Sequence, residues 1–178
     1  KLYDDARLAA VMRLTQGGNG ESKDKRFQVL AALTELRQLA CHPRLVRPGT
    51  DVESAKLRVF LETVDELREG GHRALVFSQF TRYLALVREA LDARKVAYQY
   101  LDGATPPKVR DRVVEAFQGG EGDLFLISLK AGGTGLNLTA ADYVIHLDPW
   151  WNPAVEDQAT DRAHRIGQVR PVMVYRIV

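Results

Sequence analysis

The sequence predicts an α/β fold with a mostly parallel sheet, helices on both faces of that sheet, and an additional helical segment at the amino end. From residue 73 onward, short apolar runs alternate with amphipathic segments, which is typical of strand–helix–strand units in a parallel sheet. The runs LFLIS and YVIHL are apolar almost throughout, as expected for strands that are buried on both faces.

The first 53 residues show helical patterns and irregular stretches only. We predict a helix over 1–16, a flexible glycine-rich loop over 17–25, and a helix from residue 26 to the residue before Pro43. We therefore expect a helical appendage or linker over 1–53 and a compact lobe over 54–178. The chain starts at Lys1 within a helical pattern and ends at Val178 within an apolar run, so we expect a piece of a longer protein, truncated at its carboxyl end.

Within the lobe, turn and capping residues separate the elements. Ser54 and Asn152 are placed to cap helices, Pro153 fits a first helical turn, and glycines follow several helices. The predicted strands cover 73–78, 96–101, 123–128, 142–147 and 172–178. The predicted helices cover 55–69, 81–94, 106–118 and 153–166.

Composition narrows the classes of protein. With 46% hydrophobic and 27% charged residues, a soluble globular fold with a sizeable core is expected, and the net charge of +2 means that any basic surface is local. The single cysteine, Cys41, excludes an internal disulfide and, with scattered histidines, makes a zinc site improbable on ligand count. No apolar run approaches the ~20 residues of a membrane helix, and no signal peptide is visible.

Chemistry-bearing residues cluster in the loops that follow the predicted strands. Gln79 follows the first strand, DGAT (102–105) the second, LKAGGTGLN (129–137) the third and DPWWNP (148–153) the fourth. Ligands of open parallel sheets bind at the carboxyl ends of the strands, so these loops form the candidate site.

The glycine-rich loop is an incomplete nucleotide signature. Its backbone N–H groups suit phosphate, but Leu138 stands where a dinucleotide fingerprint needs its third glycine, and a tight turn explains the loop equally well. A Walker A loop needs a Gly-Lys dipeptide, which occurs nowhere in the chain. Asp65 and Glu66 lie within a helix pattern and are more typical of a solvated surface than of a magnesium site. The chain therefore lacks a complete NTPase site of its own.

The segment QATDRAHRIG (158–167) carries an amide and two guanidinium groups at helical spacing. On an ideal helix, Gln158, Arg162 and Arg165 fall within an arc of about 60°. A surface helix with ion pairs to Glu156 or Asp161 would look the same. The position of the segment after the DPWWNP loop favours a phosphate-binding role, because guanidinium binds phosphate oxygens bidentately.

Trp150 and Trp151 occupy one loop between two prolines. One buried and one half-exposed indole is the simplest interpretation. The alternative is a stiff platform that stacks on a base or contacts a partner lobe.

Taken together, these segments resemble the second RecA-like lobe of Swi/Snf-type superfamily-two DNA-dependent ATPases. The resemblance rests on ALVFSQF (74–80), LDGAT with a following arginine (101–110), LISLKAGGTGLNLTAADYVIHLDPWWNP (126–153) and QATDRAHRIGQ (158–168), with LRQLACHP (36–43) resembling the helical stretch ahead of that lobe. It covers about 36–178 and implies a lobe of the P-loop-NTPase type.

The resemblance assigns roles to individual positions. Arg162 and Arg165 match arginines that reach the ATP γ-phosphate, Gln158 matches the first position of that motif, and Gly135 and Asn137 match positions near the nucleotide. Six residues match positions that contact the DNA backbone: Ser78, Gln79, Gly103, Thr105, Ser128 and Lys130. Contacts to the backbone are independent of base sequence, as a translocase requires.

The resemblance also implies cofactors, partners and location. ATP with Mg²⁺ would be bound mainly by a first RecA-like lobe that this sequence does not contain. The partners would be that lobe and double-stranded DNA, or a nucleoprotein substrate, in the nucleus of a eukaryote or the cytoplasm or nucleoid of a bacterium or archaeon. A strand-separating helicase lobe, a non-catalytic DNA- or protein-binding module, and a Rossmann-like dinucleotide or methyl-donor domain remain alternatives, the last poorly supported because of Leu138.

Overall fold

A computed structural model of the chain describes residues 2–16, 22–131, 136–150, 152–164 and 167–178. The chain divides into two compact units, Lys1–Ser54 and Ala55–Val178. Among the described residues, none of the helices is both long enough and apolar enough to cross a membrane.

In its described residues, the first unit contains two helices and a short 3₁₀ turn. Helix α1 covers Leu2–Gln16, α2 covers Ser22–Cys41, and the turn covers Pro43–Leu45. Residues 22–25 are helical, so the loop predicted over 17–25 is wrong for them; residues 17–21 lie outside the described part. The two lysines at 23 and 25 are good helix formers, which lets the helix start earlier than the glycine-rich composition indicates. Of the apolar side chains of α1, Ala10 is buried, whereas Leu8 and Met12 are exposed.

The second unit is a five-stranded parallel sheet with four helices in its described residues. The strands are β1 Ala74–Ser78, β2 Tyr98–Leu101, β3 Leu124–Ser128, β4 Tyr143–His146 and β5 Met173–Arg176. The helices are α3 Ala55–Glu69, α4 Thr81–Ala93, α5 Pro107–Gln118 and α6 Pro153–Thr160. The spatial order is β2-β3-β1-β4-β5, and every neighbouring pair is parallel.

Both faces of the central strands are buried. Leu75, Phe77 and Phe125 pack in one cluster with Phe117 of α5 and with Ala159 of α6. Because side chains alternate along a strand, the intervening residues point to the opposite face, where α4 contacts β1 and β3. These residues are also buried, which confirms the predicted α/β sheet with helices on both faces.

Candidate nucleic-acid and nucleotide interface

The parallel sheet brings four loops to one side of the second unit. We call this side the carboxyl edge: the ends of β2, β3, β1 and β4, in that spatial order, with the residues that follow each strand. The residues that match DNA-contact positions lie at or just after the ends of the adjacent strands β2, β3 and β1. Asn137, Trp150, Gln158 and Arg162 lie in the segments around β4 and α6. Gly135, Trp151 and Arg165 lie outside the described residues.

Asp102 organises the loop after β2. Its Oδ1 accepts hydrogen bonds from Ala104 N (2.9 Å) and Thr105 Oγ1 (3.0 Å), while Tyr100 donates its hydroxyl to Oδ2 (2.8 Å). Burial alone would raise the pKa of Asp102, but these hydrogen bonds outweigh it and lower the pKa. Gly103 is exposed within this loop. The ionised carboxylate therefore fixes the backbone on which Gly103 and Thr105 are presented.

Ser78 and Ser128 are paired residues at the ends of β1 and β3, and both are buried. Ser78 Oγ accepts a hydrogen bond from Phe80 N (3.1 Å), and Ser78 O accepts one from Leu129 N (2.9 Å). The bond from Leu129 joins the ends of the two strands, whereas the bond from Phe80 lies within the loop after β1. The role predicted for the two serine hydroxyls stays a prediction, and the exposed group beside them is Lys130.

Gln79 is half-buried directly after β1. Its backbone N–H faces the carboxylate of Asp148, at 3.3 Å from Oδ1 and 3.1 Å from Oδ2. Its side-chain Nε2 is buried and makes no hydrogen bond within the part of the chain that the structure describes. Among the described residues, this amide nitrogen is thus an unsatisfied buried donor at the end of β1.

Glu156 fixes the loop after β4 to the start of α6. Its Oε1 accepts the backbone N–H of Trp150 (2.7 Å), and its Oε2 accepts Arg176 Nε from β5 (2.7 Å). Burial would raise the pKa of Glu156, but the hydrogen bonds from Arg176 and Trp150 lower it. A buried, ionised carboxylate thus holds the half-buried Trp150 in place.

Helix α6 is shorter than predicted. Asn152 caps it, with Oδ1 accepting Ala154 N (3.2 Å), as expected from the sequence. The helix ends at Thr160, and residues 161–164 form a turn, so the helix predicted over 153–166 is wrong for 161–164; residues 165 and 166 lie outside the described part. Other segments contact the carbonyls just beyond the helix: Leu138 N donates to Arg162 O (2.9 Å), and Gln168 Nε2 donates to Ala163 O (3.2 Å).

As a result, Gln158 and Arg162 do not share one exposed stripe. Gln158 is exposed, whereas Arg162 is only 3% exposed and places its guanidinium carbon 5.3 Å from the centre of the Phe77 ring. The bond from Leu138 to the Arg162 carbonyl brings the segment after the glycine-rich loop next to Arg162. Asn137 is exposed in that segment.

Several residues that shape the carboxyl edge were missed from the sequence. Asp102 directly follows β2, and Asp148 lies two residues after β4; this position is the signal that marks them as loop organisers. Glu156 sits in a helix pattern rich in acids, where burial is not visible from the sequence. The side chains of Arg110 and Gln168 donate hydrogen bonds to backbone carbonyls of distant loops, and such contacts produce no recognisable pattern in the sequence.

Residues 55–167 match the family of helicase conserved C-terminal domains. An uncharacterized ATP-dependent helicase of Mycoplasma pneumoniae is 39% identical over 179 residues, covering 100% of this chain and 17% of that protein. The human SWI/SNF-related matrix-associated actin-dependent regulator of chromatin subfamily A member 1 is 40% identical over 173 residues, covering 90% of this chain and 17% of that protein. The chain therefore spans about a sixth of the length of these relatives.

A solved structure shows the same fold. The Sulfolobus solfataricus SWI2/SNF2 ATPase core in complex with double-stranded DNA superposes with a TM-score of 0.84 and 31% identity, covering 99% of this chain and 37% of that chain. The parallel sheet, the order of the motifs along the chain and these matches agree. The chain belongs to the helicase conserved C-terminal domain family and is the second, C-terminal RecA-like lobe of a Swi/Snf-type superfamily-two ATPase.

Proposed function

We propose that this lobe is half of an ATP-dependent motor that moves along double-stranded DNA. The observation that carries the proposal is the arrangement of the carboxyl edge. Residues that match DNA-contact positions lie at or just after the ends of β2, β3 and β1, while Arg162 and Asn137 lie at the β4 and α6 end of the same unit. One lobe would thereby contact DNA and nucleotide through neighbouring segments of the same unit.

The proposed DNA contacts are suited to phosphate. Lys130 is an exposed cation, and Gly103 is an exposed part of the backbone. The buried amide nitrogen of Gln79 is a hydrogen-bond donor that has no partner among the described residues. Such groups bind the phosphate backbone and leave the bases unread. Binding is therefore expected to be independent of sequence and strongly dependent on salt.

The proposed role of Arg162 and Arg165 is to act as arginine fingers on ATP held by another lobe. Guanidinium suits a γ-phosphate because it stays charged and presents a planar fork of donors. When ATP is bound, it supplies the phosphoryl group whose transfer to water drives the motor; Mg²⁺ and most of the triphosphate would be held by the first lobe. Within the residues that the structure describes, no group of three or more His, Cys, Asp or Glu residues could hold a metal ion.

The proposed partners are the first RecA-like lobe of the same polypeptide and duplex DNA, bare or within nucleoprotein. The Sulfolobus neighbour is a core in complex with double-stranded DNA, and the human relative is named as a regulator of chromatin. These names support a duplex substrate and, for a eukaryotic protein, a nuclear location.

A strand-separating helicase is the second candidate, favoured by the name of the Mycoplasma relative, an ATP-dependent helicase. Strand-displacement assays on the full-length enzyme separate the two candidates. A duplex translocase moves without releasing a displaced strand, whereas a helicase releases one. A non-catalytic binding module, the remaining alternative, would show no DNA-stimulated ATPase in the full-length protein.

The DNA interface is tested with two variants that remove the same charge. Lys130→Ala removes a cation at the carboxyl edge. Lys95→Asn removes an exposed cation just before β2, at the opposite edge, and Asn tolerates the positive φ of 55° at that position. We expect wild-type binding to random duplexes near 10⁻⁴–10⁻⁶ M. Lys130→Ala is expected to weaken binding to all sequences and lower the salt slope by about 0.9, with Lys95→Asn close to wild type. Equal effects of the two variants would contradict the proposed interface.

A further inference from the structure

Arg110 of α5 lies between two loops of the carboxyl edge. Its Nη1 donates a hydrogen bond to Ala131 O (3.0 Å) in the segment after β3, and its Nη2 lies 3.5 Å from Asp102 O in the loop after β2. We propose that Arg110 is a positioning residue that sets the spacing between these two loops for DNA binding. This inference rests on the proposed function and names a residue that acts without touching DNA itself.

The two carbonyls held by Arg110 adjoin the proposed phosphate contacts. Lys130 directly precedes Ala131, and Gly103 directly follows Asp102. A DNA duplex presents its phosphates at a fixed spacing, so two loops that bind the same backbone must keep a fixed separation. A side chain that bonds to both loops at once meets this requirement.

An arginine suits this position for two reasons. Its guanidinium carries several N–H donors in a rigid plane, whereas a lysine has one compact ammonium group that serves the two carbonyls less well together. Its own backbone is fixed, because Arg110 N donates to Pro106 O (2.9 Å) in the first turn of α5. Helix α5 is in turn anchored in the core by Phe117, which is fully buried.

The loop on the Asp102 side is itself rigid. Asp102 N donates to Thr105 Oγ1 (3.0 Å), and the Asp102 carboxylate binds Ala104 N and the Thr105 hydroxyl. Arg110 therefore positions a preformed loop instead of ordering a flexible one. Ala131, the acceptor on the other side, is 4% exposed, so its placement fixes the exposed Lys130 beside it.

The test compares DNA binding by the 178-residue chain and four variants: Arg110→Ala, Arg110→Lys, Arg112→Ala and Lys130→Ala. Arg112→Ala is the matched control, since it removes the same charge from an exposed position of the same helix. We expect Arg110→Ala to weaken binding about tenfold and Arg110→Lys less. Arg112→Ala should weaken DNA binding by less than about fivefold, which is the scale expected for the loss of one exposed charge.

A double-mutant cycle tests whether Arg110 affects DNA binding through Lys130. If Arg110 acts through Lys130, the loss caused by Arg110→Ala is much smaller in the Lys130→Ala background than in the wild type. Additive losses, with a salt slope lowered by about 0.9 in each single variant, would indicate a direct phosphate contact and overturn the inference. Thermal unfolding is measured in parallel, and Arg110→Lys replaces Arg110→Ala in the cycle if the alanine variant does not fold.

The outcomes separate the inference from the proposed function. Normal binding by Arg110→Ala with weak binding by Lys130→Ala overturns the inference and leaves the DNA interface standing. Normal binding by Lys130→Ala overturns both. If the loss of DNA binding in the Arg110 variants is no larger than their unfolded fraction, the positioning role is overturned. Such a result shows that Arg110 contributes to stability alone.

Discussion

The backbone N–H of Gln79 faces both carboxylate oxygens of Asp148, at distances of 3.3 and 3.1 Å. Asp148 is 5% exposed, so this contact joins the loops after β1 and β4 beneath the surface of the carboxyl edge. Together with the Leu129 N to Ser78 O bond and the contacts of Arg110, it links all four loops laterally.

We predict that Asp148→Ala destabilises the chain by about 1–3 kcal/mol, because it removes the acceptor of a part-buried N–H group. Chemical denaturation measures the loss. Asp111→Ala, which removes an exposed carboxylate of α5, is the control and should change stability by less than about 0.5 kcal/mol. Equal effects of the two variants would show that the Gln79 contact contributes nothing.

Gly122 is predicted to be intolerant of a side chain. Its φ is +90°, and an added Cβ would lie 3.2 Å from Tyr98 Cα, within 3.3 Å of two further backbone atoms of β2. Gly120 has a similar φ of +99° with nothing within 4 Å of its Cβ position. Gly120→Ala should therefore cost about 1–2 kcal/mol of backbone strain, and Gly122→Ala more than that. Equal losses in thermal or chemical unfolding would contradict the packing argument.

His146 is predicted to make stability depend on pH. It is 1% exposed and stacked on Phe77 at 5.7 Å, and its Nε2 has no hydrogen-bond partner among the described residues. Burial lowers its pKa below the usual 6.5, an effect that Arg176 adds to, although Glu156 and Asp157 oppose it. The folded state thus binds fewer protons than the unfolded state below pH 6.5, and stability falls as the pH falls through that window.

The test is the slope of unfolding free energy against pH between 5 and 7. One proton contributes at most about 1.4 kcal/mol per pH unit. The slope should shrink in His146→Gln and persist in His164→Gln, which alters an exposed histidine. An unchanged slope in His146→Gln would show that another group controls the dependence.

The chain by itself is predicted to hydrolyse no ATP. It has no Gly-Lys dipeptide for a Walker A loop, and its Asp65-Glu66 pair lies within α3 instead of at a strand end. Purified chain with duplex DNA and ATP should release phosphate only at background rate. DNA-stimulated turnover that survives stringent purification would overturn this prediction.

Much of the fold was predictable because the strands carry their own signal. β1 and β3 are buried along their whole length, which makes them apolar on both faces, and a helix or a turn follows each of them. The same signal located the loops of the carboxyl edge. The cap of α6 by Asn152 was predictable for a similar reason, since capping is local.

The end of α6 and the lateral contacts were not predictable, because distant residues decide them. Leu138 N, 24 residues earlier in the chain, donates a hydrogen bond to the Arg162 carbonyl just beyond the end of α6. Arg110 donates a hydrogen bond to a backbone carbonyl 21 residues away. Every residue has a backbone carbonyl, so the sequence does not show which one accepts this bond. The shared helical stripe predicted for Gln158 and Arg162 is wrong because the helix ends at Thr160, and Arg162 lies buried beside Phe77.

The central claim, that this lobe supplies arginine fingers to a DNA-dependent ATPase, is tested most directly by Arg165→Ala in the full-length enzyme. DNA-stimulated kcat and melting temperature are measured on the same preparation. Arginine fingers stabilise charge that develops on the transferring phosphoryl group, and their loss lowers the rate by about 10³–10⁵. We predict a kcat reduced on this scale, with an unchanged melting temperature. A near-normal kcat with a lower melting temperature would contradict the claim, because it would show that Arg165 only stabilises the fold.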